Sequence, residues 1–131
     1  MKFDITQRFD AAPTDVAAVY LDESFIAEGN GPGARITYIE TLRHDVDDHL
    51  AVLYVRYRFV AHLPAAARAI LSPDKLTWVE ETVVDRDAGI SDVTIRPDHY
   101  ADRLRAAARI TLSPDGDGSI RRATGEVKVA A

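Results

Sequence analysis

Two carboxylates, Glu40 and Glu80, fall within strings of alternating apolar residues. A carboxyl group held among apolar side chains loses hydration, so its pKa rises and it can exchange protons near neutral pH. That is the one acid–base chemistry the residue pattern offers. If arginines pair with these groups, or if the strand register differs by one residue, both are ordinary strand residues instead.

Other reactive residue types lack the spacing their chemistry needs. His44, His49, His62 and His99 fall near turns or strand ends, and none pairs at helical ligand spacing, so no metal site is expected. His99-Tyr100, in a loop at the sheet's end, is placed to line a cavity mouth, with a solvent-exposed loop as the plainer reading. Asp45, Asp47 and Asp48 look like the start of a calcium loop, but the glycine and distal glutamate of an EF-hand are missing. Gly29-Asn30-Gly31-Pro32-Gly33 is not a phosphate loop, because it lacks the lysine and follows a helix. No serine sits in a G-x-S-x-G elbow, and there is no cysteine, which removes thiolate nucleophiles, disulfides and zinc-thiolate sites together. No cofactor is implied.

Charge narrows the partners. The net charge of −5 argues against a general nucleic-acid surface, which depends on clustered positive charge. Of the 16 basic residues 13 are Arg, and the one local cluster is Arg103, Arg105 and Arg109, extended by Arg121 and Arg122. It reads as a solvated strand face paired with acidic neighbours, with acidic-ligand recognition as the sharper alternative. Lacking cysteine, a signal peptide and any long apolar stretch, the chain is expected to be cytoplasmic with no integral membrane segment.

The elements that must position Glu40 and Glu80 are mostly strands. A chain of 131 residues fits one domain, here 1–131. Lys2 to Phe9 alternates strictly, placing Phe3, Ile5, Gln7 and Phe9 on one face. Pro13 suits the first turn of a helix carrying Val16, Val19 and Tyr20, and a second short helical piece holds Phe25 and Ile26. Arg35 to Arg43 and Leu50 to Ala61 form a hairpin across His44 to His49, with Ala51, Leu53, Val55, Tyr57 and Phe59 as one apolar row. An even-length loop sets Ile36, Tyr38, Glu40 and Leu42 on that same row; an odd one reverses it. Leu63-Pro64 opens a helical turn through Ile70. Leu76 to Asp85 pairs with Ile90 to Pro97, aligning Val93 and Ile95 with Thr82, Glu80 and Trp78. Arg103 to Ser113 pairs with Ile120 to Val129, with Leu104, Ala106, Ala108, Ile110 and Leu112 inward. The fold class is α+β: a curved seven-stranded antiparallel sheet with two short N-terminal helices and a short inserted helix.

The order of a strand, Ala12-Pro13-Thr14-Asp15-Val16, Leu21-Asp22 and Phe25, followed by a run of antiparallel strands, resembles the START-like superfamily, also called SRPBCC or helix-grip. Leu63-Pro64-Ala65-Ala66-Ala67-Arg68-Ala69-Ile70-Leu71 followed by Leu76-Thr77-Trp78-Val79-Glu80-Glu81-Thr82 is similar to an actinobacterial family within it. The resemblance implies a cavity for a lipid, polyketide, sterol or other apolar molecule; some members are aromatases or cyclases and others carriers. It also implies a long C-terminal helix across the concave sheet. Residues to Ala131 leave no room for one, so the expectation is a truncated form or a sheet covered in another way.

These considerations give one expected site. A small hydrophobic molecule binds the apolar sheet face at Tyr38, Leu53, Tyr57, Trp78, Val93, Ile95 and Ile110, since Tyr and Trp join a large apolar body to one orienting polar atom. Two alternatives stay open. The first is a cyclase, aromatase or dehydratase using Glu40 or Glu80. The second is an interaction protein, such as a homodimer, that covers the face with another chain.

Overall fold

The structure, a computed structural model, describes residues 1–29 and 34–130. The glycine-rich segment read as a loop after the second helix therefore lies, beyond Gly29, outside the described residues.

The chain runs β1 (Lys2–Phe9), α1 (Pro13–Leu21), α2 (Glu23–Glu28), β2 (Ile36–Val46), β3 (Leu50–Phe59), α3 (Ala65–Arg68), a 3-10 turn (Pro73–Lys75), β4 (Thr77–Asp85), β5 (Ile90–Pro97), β6 (Leu104–Asp115) and β7 (Gly118–Val129). All seven strands form one sheet in the order β1-β7-β6-β5-β4-β3-β2, with antiparallel pairing throughout. Strands β2 to β7 follow one another as neighbours, as short connections dictate. β1 instead joins β7 at the far edge. The α1–α2 segment links β1 to β2, so it must cross the whole width of the sheet.

It crosses on the face bearing the apolar rows. Pro13 occupies the first turn of α1, and the Asp22 side chain accepts the Phe25 N–H at 2.9 Å, so one aspartate ends α1 and caps α2. Leu21 packs on Ala51 and Leu53, with Ile26 and Val84 at the margin. His44 reaches from β2 to α1, where Leu21 O accepts its Nε2–H at 2.6 Å. Among the described residues the buried apolar side chains are Val16, Leu21, Ala51, Leu53 and Val55, gathered under the helices.

The rest of the inner face is only half-buried. The accessible surface of the chain is 8604 Å². A compact monomer of 14.4 kDa would expose roughly 6,800 Å². The inner rows beyond the buried cluster, at Tyr57, Val93, Ile95 and Ile110, are among the half-buried residues.

The expected register holds for the β4–β5 hairpin, where Thr82 faces Val93 and Glu80 faces Ile95; in the strands beyond it Ile95 faces Ala106 and Ile110 faces Ala123. The β2–β3 hairpin departs from expectation. Its loop spans four residues between the paired Val46 and Ala51, the even length assumed, but β2 contains two irregularities. Extra residues at Leu42 and Ile39 each switch the alternation. Two switches return Ile36 and Tyr38 to the inner face, opposite Phe59 and Tyr57. Between them Thr41 turns inward opposite Val55, Glu40 turns outward opposite Arg56, and Leu42 is 49% exposed.

Among the described residues no helix is long and apolar enough to cross a membrane.

Candidate functional site

Between the inner face and the α1–α2 segment lies a groove of about 1180 Å³. Its floor is the alternate-residue rows of β3 to β7, including Leu53, Val55, Tyr57, Val93, Ile95, Ile110 and Ala123; its roof is Ala17, Tyr20, Leu21, Phe25 and Ile26. The rows face inward because each strand alternates sides, and the α1–α2 connection covers that side. A shallower depression of about 490 Å³ lies on the opposite face, beside the Arg109–Asp92 ion pair. Its open, charged floor suits solvent better than an apolar guest.

Leu53, Tyr57, Val93, Ile95 and Ile110 line the groove together. Tyr38 and Trp78 share the inner face but stand beside that lining. The Tyr38 hydroxyl is 2.8 Å from Thr41 Oγ1, and the Trp78 ring lies against Tyr57 with centroids 6.2 Å apart.

The two glutamates separate. Glu40 is on the outer face, where its Oε1 accepts from Arg56 Nη1 at 2.5 Å. Arg56 also donates to both oxygens of Asp98, at 3.0 and 3.1 Å, and Thr77 Oγ1 adds a bond to Asp98 at 2.8 Å. This correction to the expected inward Glu40 follows from the β2 irregularities.

Glu80 does face the groove, between the Val55 and Ile95 rows. Burial pushes its carboxyl above the ordinary carboxylate range, while the Trp78 indole and the Arg121 charge oppose the shift. The Trp78 Nε1–H makes no well-formed hydrogen bond, so it acts on Glu80 as a nearby dipole. Burial, with the neighbouring Glu80 and Tyr38, pushes the Tyr57 phenol up to about 12. Tyr57 therefore stays protonated, as a donor, through the physiological range.

Arg121 is the groove residue that the sequence pattern misassigns. Grouping it with an outward basic row fails because adjacent strand residues point to opposite faces, so Arg121 and Arg122 cannot share one. Arg122 is outside, paired with Asp4. Arg121 is inside, its guanidinium 4.4 Å from the centre of the Tyr20 ring and donating to Gln7 Oε1 at 2.9 Å. Counting back by twos from Val127 and Ala123 finds it.

On the outer face Arg109 pairs with Asp92, and Arg96 with Glu81. Among the described residues no group of three or more His, Cys, Asp or Glu converges as a metal site.

Solved structures share this architecture. Protein TTHA0849 from Thermus thermophilus superposes with a TM-score of 0.67 at 15% identity, covering 100% of this chain and 76% of that one. Norcoclaurine synthase from Thalictrum flavum gives 0.62 at 16%, covering 98% and 69%. The Zhui aromatase/cyclase from Streptomyces sp. R1128 gives 0.58 at 10%, covering 100% and 70%. At these identities the likeness establishes the fold, a START-like helix-grip sheet, and no more. No curated protein gives a significant match. A family model described as protein of unknown function, DUF2505, matches residues 4–131, and the chain accordingly belongs to the DUF2505 family.

Proposed function

We propose that the protein binds a small hydrophobic molecule, of lipid or polyketide type, in the groove between the inner sheet face and α1–α2. The observation carrying this reading is the groove itself. At about 1180 Å³ it has room for a drug-sized or larger guest, and apolar rows with few inward polar groups are how such sites are built. The half-buried state of those rows supports it, since contiguous apolar surface of this extent seldom stays uncovered. Proteins named norcoclaurine synthase and aromatase/cyclase share the fold, which agrees with a site for a cyclisable small molecule.

Native mass spectrometry of the purified protein tests the reading, with Trp78 emission followed across a panel of lipids and aromatic polyketides. A co-purifying apolar compound, or a saturable change in emission, is the expected result. No bound compound and no response across the panel would overturn it. A dimer without ligand would point instead to a second copy as the cover.

One observation favours a catalytic version of the same site: Glu80, a buried carboxyl with a raised pKa, and the protonated Tyr57 line the same groove from neighbouring strands. Such a pair can move a proton on a bound cyclisable ligand. Glu80→Gln should then remove turnover while sparing binding, and equal turnover in the variant would exclude this version.

A further inference from the structure

Resting on the binding reading above, we infer that the groove selects an amphiphile with an apolar chain and a terminal carboxylate, and that Arg121 receives the carboxylate. Among the described residues Arg121 has no carboxylate within ion-pair distance, in contrast to Arg122 beside it, which pairs with Asp4. Yet it is held in place. Tyr20 covers one face of the guanidinium at 4.4 Å, and Tyr20 is itself braced edge-on by Phe9 and Phe25, with centroids 6.4 and 5.7 Å away. Gln7 fixes one Nη1 donor. A guanidinium has five N–H donors in a planar fork, so donors remain for a guest oxygen, in a position already ordered.

The other charged groups lining the groove are accounted for. Arg86 donates to Asp47 O at 2.5 Å and shares its rim with Asp48 and Asp87, a setting that repels an anion. Glu80, three strands away on β4, is near enough to feel the Arg121 charge but forms no ion pair with it, and would repel an anion placed beside it. Arg121 alone combines a cation, a local deficit of carboxylate and direct continuity with the apolar floor at Ala123 and Ile110. One guanidinium matches a monoanion, and a carboxylate meets its fork in two parallel bonds. A phosphate dianion would call for more positive charge than this groove holds.

Titration of the full chain with dodecanoate and with dodecanol, read by Trp78 emission and by calorimetry, tests the inference. Dodecanoate is expected to bind roughly tenfold or more tightly than dodecanol, the range for a charge-assisted pair. In Arg121→Gln the two affinities should converge, while Arg121→Lys, which keeps the charge and controls for folding, should retain part of the preference. Equal binding of the two probes to the unaltered chain, or a preference that survives in Arg121→Gln, overturns the inference and leaves the binding reading intact. Binding of neither probe, nor of any member of the wider panel, overturns both.

Discussion

Trp78 and Glu80 stand two residues apart on β4, both directed to the inner face, and the indole N–H leans on the glutamate without forming a proper hydrogen bond. Burial therefore dominates, and the folded carboxyl titrates above its unfolded value. The folded chain then holds a proton that the unfolded chain releases, so stability falls as pH rises from the unfolded pKa through the folded one, and is flat above both. Glu80→Gln, which removes the ionisable group, should be more stable than the unaltered protein at neutral pH, with the gain vanishing below the ordinary carboxylate range. Urea denaturation at a series of pH values checks this. A variant less stable at neutral pH than at acid pH, relative to the unaltered chain, would contradict it.

Asp98 has the opposite sign. Its hydrogen bonds from Arg56, with a further one from Thr77, hold its carboxyl below the usual range. Its contribution is present above the unfolded pKa and lost as pH falls through the folded one. The pair is about a quarter exposed, with side-chain accessibilities of 28% and 26%. Asp98→Asn should therefore cost about 1 kcal/mol at neutral pH, allowing for solvent screening, and nothing in strong acid. The same denaturation series, run on both variants, should give two difference curves of opposite slope.

The inner rows of β3 to β6 are legible in the sequence because nothing interrupts their alternation over eight or more residues: once Val93 is paired with Thr82, Ile95 must meet Glu80. In β2 Ile36 and Tyr38 face inward as expected, but the stretch from Ile39 to Leu42 is not legible. Its two extra residues, Ile39 and Leu42, are apolar and fit a strand in either parity, so nothing local marks them as irregular. The misplacement of Glu40 follows from that alone. Arg121 differs, because its parity is readable and is hidden only when neighbouring arginines are taken as one patch. The groove roof is tertiary: β1 and β2 lie at opposite edges, and that pairing of β1 with β7 spans most of the chain.

Stability and binding should separate along one sheet face. Leu53 is 7% exposed, in the cluster with Leu21 and Ala51, so Leu53→Ala leaves a cavity beneath the helices and should cost about 2–5 kcal/mol. Ile110 is half-buried on the groove floor, already short of neighbours on one side. Ile110→Ala should cost less, about 1 kcal/mol, because much of the removed surface was already accessible to water. If the groove is the binding site, Ile110→Ala changes ligand affinity more than it changes melting temperature, and thermal melts beside titrations will show whether the two responses diverge.

Two glycines near the β6–β7 hairpin are needed for different reasons, and substitution separates them. Gly116 sits in the two-residue turn between Asp115 and Gly118 at φ +58, with open space where a Cβ would go. Gly116→Ala meets only the backbone penalty of a left-handed conformation, about 1 kcal/mol. Gly125 has no unusual φ, but a Cβ there would lie 2.4 Å from Ala107 O and 2.6 Å from Phe3 Cζ. The Phe3 ring lies over this glycine and fixes β1 against β7. Gly125→Ala should cost about 1–3 kcal/mol, and it should loosen β1, which hydrogen exchange would register as lost protection in Lys2–Phe9. Removing the ring in Phe3→Ala should not rescue Gly125→Ala, because the closer obstacle is the Ala107 carbonyl of the neighbouring strand, which can retreat only by opening the ladder. Full rescue in the double variant would show that the aromatic contact, and not the backbone approach, sets the need for glycine.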